Sequence, residues 1–275
     1  MVNPKEKPIG VFDSGIGGLS VLKQLVRFIP YERFIYLGDT ARVPYGNRSV
    51  EIVKEYAKQC TEFLIEKNVK LIIVACNTVS SVALDTVIET AGIVPVIGMI
   101  KPAAGAALRA TVNKKIGIIG TRATVSSNSY SNEIINLANT DNIDVYSQAC
   151  PLFVPLTEEG MVRHSSTKVI AEEYLASLKA EKVDTLVLGC THYPLLSQLF
   201  KDIMPDVNLI DPGEHSAVSA LRLLAESGEL MDEKDEFLLK PNIEFYVTDV
   251  PALFFEQAKN FLGFGIDEPN KITLE

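Results

Sequence analysis

Residues 71–79, LIIVACNTV, and residues 186–194, LVLGCTHYP, decide the fold of this chain. Each is a short apolar run of the kind that crosses a buried sheet, and each stops at a cysteine, Cys76 or Cys190. Small hydrogen-bonding residues follow at once, and then a helix start. The two cysteines lie 114 residues apart. A second pair of segments echoes the offset: PIGVFDSG carries Ser14, KIGIIGTR carries Thr121, and these lie 107 residues apart. Strand-end chemistry repeated in this way predicts two pseudo-symmetric lobes facing one cleft, with one thiol from each. Such a cleft suits a reaction that needs a base on one face of a carbon and an acid on the other.

Working outward, further apolar runs occur at 9–12, 34–36, 94–97, 116–119 and 208–210. Helical stripes lie between most of them. Leu19, Leu22, Val26 and Ile29 form one, Ile52, Tyr56, Cys60, Phe63 and Leu64 a second, and Val169, Ile170, Tyr174, Leu175 and Leu178 a third. Cys60 falls inside its stripe and reads as core. Strand and helix alternating at this spacing predict an α/β fold, each lobe a mainly parallel sheet flanked by helices on both faces. Ligands in such sheets bind beyond the carboxyl ends of the strands. The residues there are Asp13, Ser14, Asp39, Cys76, Asn77, Thr121, Cys190 and Thr191, all polar or nucleophilic after apolar runs.

The echo restarts at residue 116, which places a first lobe at 1–98 plus 210–275 and a second at 99–209. The C-terminal part holds a strand candidate at 243–247. A helix follows, with Pro251 in its first turn and Leu253, Phe254, Gln257, Ala258 and Phe261 along one side. Returning to the first lobe is its simplest packing.

The 275 residues, 47% of them hydrophobic, suffice for one large core or two modest ones, and no linker-like tract separates independent domains. A net charge of −9 argues against a nucleic-acid footprint. The N-terminus has no apolar signal core, and nowhere do about 18 apolar residues run together, so a cytoplasmic protein without a membrane partner is expected. Four cysteines at 60, 76, 150 and 190, with no CxxC pair, are not a disulfide framework. Cys76, Cys190, His192 and Asp13 do not have the spacing of a structural zinc site.

A free thiol with pKa near 8.5 is mostly protonated at neutral pH, and a helix N-terminus lowers that value. Both Cys76 and Cys190 precede helix starts, so both are candidates for activation. Asn77, Thr78, Thr121 and Thr191 supply donors beside them, suited to a substrate carboxylate that gains charge as a neighbouring carbon loses its proton; helix capping is the plainer reading of the same residues. FDSGIGGLSV at 12–21 lacks the endings of phosphate-binding loops and reads as a tight turn exposing Asp13 and Ser14 to the cleft. The loop GDTARVPYGNRS reads in two ways: backbone amides around Tyr45 and Gly46 can hold a distal carboxylate, or the loop is a solvated turn. His192, two residues after Cys190, is a credible acid/base helper. His164 and His215 read as structural or surface residues. Glu158, after PLFVPLT, reads on its own as a solvated residue.

FDSGIGGLSV, YLGDTARVPYG, VACNT, FVPLTEEG and GCTHYPLL together resemble the bacterial glutamate racemases of the aspartate/glutamate racemase superfamily. The match runs from about residue 8 to 213, and the PYG loop and FVPLTEEG favour the glutamate branch. The resemblance implies interconversion of L- and D-glutamate without cofactor or metal, supplying D-glutamate for peptidoglycan. It assigns Cys76 as the base toward D-glutamate and Cys190 as the base toward L-glutamate, with Asp13 helping Cys76, and Glu158 and His192 helping Cys190. It implies that Asp13, Ser14, Asn77, Thr78, Thr121, Thr191 and His192 surround the amino acid head, while Ser14, Tyr45 and Gly46 hold the side-chain carboxylate. A homodimer is expected by the same resemblance, and regulation through a long N-terminal extension is not. The alternatives are an aspartate or hydantoin racemase, a cysteine hydrolase built on Cys190 and His192, and a non-catalytic two-lobed binding protein.

Overall fold

The computed structural model describes residues 3–139, 142–232, 241–250, 252 and 254–275. Among these described residues ten strands form two sheets: β1 (Ile9–Asp13), β2 (Arg33–Gly38), β3 (Leu71–Val74), β4 (Val96–Ile97), β5 (Lys115–Gly120), β6 (Asp144–Ala149), β7 (Thr185–Gly189), β8 (Asn208–Ile210), β9 (Asn242–Val247) and β10 (Asn270–Lys271). One sheet runs β10-β9-β2-β1-β3-β4 and the other β6-β5-β7-β8. Every pairing is parallel. This is the α/β architecture that the alternation of apolar runs predicts.

Parallel strands are joined by crossovers that cover both faces, so their side chains are buried on both. Alternate residues accordingly enter different cores. Ile9 and Val11 of β1 pack with Leu19, Leu22 and Leu25 on one face, while Phe12 joins Ile72 and Val74 on the other. In the smaller sheet, Ile119, Leu186 and Leu188 face Phe153, Leu175 and Phe200, and Ile116, Ile118 and Val187 face Ala103, Ala107 and Tyr130. Each fully buried Leu, Ile or Phe contributes about 1.5–3 kcal/mol. The helix Pro212–Ser227 follows β8 but packs Ala217, Ala220 and Leu224 into the core of the larger sheet, whose edge β9 and β10 extend.

Three expectations change. β6, sequence DVYSQA, has no apolar run to announce it, because it is a half-exposed edge strand. Val169 is 62% exposed: the helix Ser165–Ala180 instead buries Thr167, Ala171, Leu175 and Leu178. In the helix Val50–Glu66 the buried stripe is Val53, Ala57, Cys60, Thr61 and Leu64, with Ile52, Tyr56 and Phe63 on its flanks. Cys60 is fully buried, as its stripe requires. Pro251 and Leu253 lie outside the described residues. The helix Phe254–Leu262 buries Phe254, Ala258, Phe261 and Leu262.

Candidate active site

Register brings the chemistry together. β1 and β3 align Phe12 with Val74, so Ser14 and Cys76 leave neighbouring strands at one level. β5 and β7 align Gly120 with Gly189, which does the same for Thr121 and Cys190. Both thiols line one cavity of about 520 Å³, within the usual range for small-molecule sites. Ser14, Tyr45, Gly46, Asn77, Thr78, Thr121, Glu158, Thr191 and His192 line it too. A larger recess of about 700 Å³ on another part of the surface holds Lys23, Asp211 and His215 but neither thiol. His164 caps the helix Ser165–Ala180, its Nδ1 accepting from the Ser166 amide at 3.2 Å.

On one side, Cys76 caps the helix Asn77–Val82 and its Sγ donates to Ser14 Oγ at 3.6 Å. Helix placement predicts a lowered thiol pKa, but the thiol is pushed up to about 12. Burial is the main cause and the nearby Asp13 adds to it, outweighing the Val79 amide and Ser14. Asp13 itself is only 1% exposed and does not line the cavity, contrary to the expected exposure of this residue. Its Oδ2 accepts from the Gly15 and Gly18 amides at 3.1 and 3.0 Å, because the glycine turn wraps over it. Burial raises its pKa despite the opposing charge of His192 and those amides.

On the other side, Cys190 follows the last residue of β7, and a 3-10 turn, Tyr193–Leu196, with Pro194 in its first residues, leads into the helix Ser197–Ile203. His192 Nδ1 lies 3.9 Å from Cys190 Sγ and 3.4 Å from Thr191 Oγ1, and its Nε2 lies 2.8 Å from Glu158 Oε1. Burial works against the imidazolium, but hydrogen bonds to Cys190 and Glu158 and their charges win, raising His192 to about 10. Glu158 ends the helix Phe153–Glu158, and its carbonyl accepts from Gln257 Nε2 at 2.9 Å. The Phe261 and His192 rings stand nearly perpendicular, with centroids 5.3 Å apart. Gln257 and Phe261 read in sequence as an ordinary packing stripe, and nothing local to them signals this contact with the site.

The floor of the cavity is the loop after β2. Tyr45 contributes backbone there, for its ring is buried and its hydroxyl donates to the Asp39 carboxylate. Asp39 also accepts from Arg42 Nε at 2.6 Å and Thr248 Oγ1 at 2.9 Å. Asp39 is therefore fully buried beneath the loop rather than in the cleft. The loop meets the second sheet at Gly46, where an added Cβ would stand 2.9 Å from Thr121 Cβ. Thr78 and Thr121 share a hydrogen bond of 3.1 Å, and Asn77 Oδ1 accepts from Tyr130 at 2.6 Å, so these side chains also join the two halves.

A cavity with one thiol at the end of a central strand in each of two parallel sheets is the setting in which the comparisons fall. The family model described as Asp/Glu/hydantoin racemase matches residues 9–220. The chain belongs to that family. Within it the chain groups with the bacterial glutamate racemases, and it is an isomerase. It is 48% identical to the glutamate racemase of Chlorobaculum tepidum over 259 residues, 94% of this chain and 93% of that one. The crystal structure of the Francisella tularensis glutamate racemase in complex with D-glutamate superposes with a TM-score of 0.90. Identity there is 40%, covering 98% of this chain and 99% of that one. The Escherichia coli enzyme in complex with L-glutamate and the activator UDP-MurNAc-Ala superposes with a TM-score of 0.77 at 28% identity, covering 98% and 99%. Among the described residues no helix is long and apolar enough to cross a membrane.

Proposed function

We propose that this chain interconverts L- and D-glutamate with two thiols, Cys190 removing the α-hydrogen of the L enantiomer and Cys76 that of the D enantiomer. The observation that carries the reading is the pair of buried thiols, each at a matched strand end, lining one cavity. Relatives similar along nearly the whole chain hold D-glutamate in one case and L-glutamate in the other. The reaction needs no other reagent: a proton leaves one face of Cα and another arrives at the opposite face.

The α-hydrogen of an amino acid is a weak acid, so position and field must supply most of the rate. Near-attack geometry places each sulfur about 3–3.5 Å from Cα, with the carbon held between them. Asn77, Thr78, Thr121 and Thr191 direct hydroxyls and amides at the α-carboxylate as it gains charge, the electrostatic contribution that dominates such reactions. Ser14 and the amides of Tyr45 and Gly46 take the side-chain carboxylate. A thiol pushed up to about 12 is a proton donor, and a strong base once ionised. The substrate ammonium arriving beside it favours the thiolate. On the opposite side the Glu158–His192 pair keeps an imidazolium next to Cys190, ready to exchange its proton with the sulfur.

In the same reading the product serves peptidoglycan synthesis in the cytoplasm, the enzyme acts without cofactor, and the working form is a homodimer. The lobes divide at 1–98 plus 210–275 and 99–209. The test is incubation of the purified protein with L-glutamate in deuterated water, without additives. Loss of optical rotation with α-deuterium incorporation supports the proposal. Unchanged rotation and no deuterium refute it, and L-aspartate in parallel separates the sibling activity.

A further inference from the structure

Two adjacent glycines in the turn after β1 abut opposite halves of the site. A Cβ built on Gly17 would stand 2.4 Å from Thr191 Oγ1, 2.5 Å from His192 Cε1 and 2.6 Å from His192 Nδ1. One built on Gly18 would stand 2.4 Å from Asp13 Cβ and 2.9 Å from its Cγ. Backbone freedom does not explain the glycines, since neither is among the residues with positive φ. Space does. Ordinary van der Waals contact for a Cβ begins at 3.4 Å, so a methyl at either position overlaps its neighbour severely.

Neither neighbour is free to retreat. The His192 ring is held by Glu158 at 2.8 Å on its Nε2 and by the perpendicular ring of Phe261, and it is buried. The edge that Gly17 touches carries Nδ1, the nitrogen facing Cys190. Asp13 is held by the Gly15 and Gly18 amides behind Ser14 and Cys76.

We infer that Gly17 and Gly18 are a pair of positioning residues serving different half-reactions. Gly17 seats the imidazole against Cys190, and Gly18 seats the Asp13 carboxyl behind Cys76. One turn from the first sheet thereby sets the acid/base groups of both thiols. The inference rests on the two-thiol reading given above.

The L and D enantiomers of 3-chloroglutamate test it, because each needs only one base. The thiolate takes the α-hydrogen, the freed electron pair forms the Cα–Cβ double bond and chloride leaves. Water then hydrolyses the enamine, through its imine tautomer, to 2-oxoglutarate and ammonium. The hydrogen never returns to the opposite face, so the L probe reads Cys190 and the D probe reads Cys76. Since a misplacement of 1 Å loses on the order of a hundredfold in rate, Gly17→Ala is expected to lower kcat/KM on the L probe at least about tenfold, with the D probe changed less than about threefold. Gly18→Ala is expected to do the reverse. The ratio of the two probes is taken within one preparation, so the amount of folded protein cancels.

Equal losses on both probes in both variants mean that the turn shifts as a body, and overturn the inference. A wild-type enzyme that eliminates chloride from only one enantiomer, or from neither, overturns the two-thiol reading beneath it. Should Gly17→Ala fail to fold, the comparison is Thr191→Ala/His192→Ala with the same pair carrying Gly17→Ala, in which the hydroxyl and the ring that the methyl meets are both absent. The triple variant is expected to fold and to match Thr191→Ala/His192→Ala on the L probe. Failure to fold, or a further loss on that probe, overturns the assignment of Gly17.

Discussion

Replacing Glu158 by Gln removes one charge from the Cys190 side while keeping the shape and a hydrogen bond to His192. Glu158 Oε1 lies 2.8 Å from His192 Nε2, and the imidazole titrates at about 10 instead of its ordinary 6.5. Burial opposes the rise, and the hydrogen bond to Cys190 contributes more to it than Glu158 does, so the substitution removes only part. An opposite charge at this distance shifts a pKa by about 1–3 units, and Glu158 is partly exposed and therefore screened, which leaves a fall of about 1–2 units. At 1.36 kcal/mol per unit that is about 1–3 kcal/mol. A raised folded-state value means stability that is fully present below pH 6.5 and lost as the pH rises through about 10. Glu158→Gln should therefore destabilise the protein at neutral pH and much less near pH 11. It should also move the alkaline limb of the kcat/KM profile down by about 1–2 units, as the imidazolium loses its proton earlier. The assays are chemical denaturation across pH and NMR titration of the His192 ring. An unchanged His192 midpoint in the variant refutes the reasoning, because the ion pair would then contribute nothing to the imidazolium.

Cys76→Ser and Cys190→Ser should each reduce racemisation by at least about a hundredfold, since each removes a proton carrier worth about 10²–10⁴; chiral chromatography of the product checks it, and full activity in either variant sinks the two-base assignment. Asp39→Ala leaves Arg42, Tyr45 and Thr248 without their shared acceptor. It should lower stability by about 3–5 kcal/mol, as breaking a buried pair does, and raise KM for glutamate more than it lowers kcat. The Lys70–Glu32 pair, at 2.7 Å and only 2% and 1% exposed, lies away from the thiols. Lys70→Met should destabilise by about 3–5 kcal/mol in urea with kcat unchanged, and adding Glu32→Leu should restore most of the loss; a double variant no more stable than the single one contradicts that account.

What the sequence conveyed, and what it withheld, follows from how far each signal reaches along the chain. The strands carrying the site were legible because they are central and buried on both faces, which made 71–74 and 186–188 continuous apolar runs. The edge strand β6 needs apolar residues on neither face continuously, and DVYSQA offers no such run. Polar residues at strand ends located the cavity, yet not which of them open into it. Ser14 and Asp13 are adjacent, and only the glycine turn folding over Asp13 decides that the hydroxyl faces the cleft and the carboxyl does not. Asp39 was placed with the cleft residues by the same rule, and lies beneath it because Tyr45, Arg42 and Thr248 converge on it from three segments.

The thiol of Cys76 shows the same division in its energetics. A helix start is local and visible in sequence, and it argues for a lowered pKa. Desolvation is the work of the whole surrounding fold, and it wins, carrying the thiol to about 12. The two halves also differ in kind: Cys190 has an imidazole paired to a carboxylate, whereas Cys76 has a buried carboxyl and a hydroxyl. The repeat in sequence is thus a repeat of strand ends and not of proton chemistry. In the proposed two-thiol reading, racemisation at a single carbon does not require identical bases, only that either thiol can give back what the other has taken. With a free-energy difference of zero between the enantiomers, kcat/KM is the same in both directions whatever the pKa of each thiol, so the asymmetry must be absorbed by the separate values of kcat and KM.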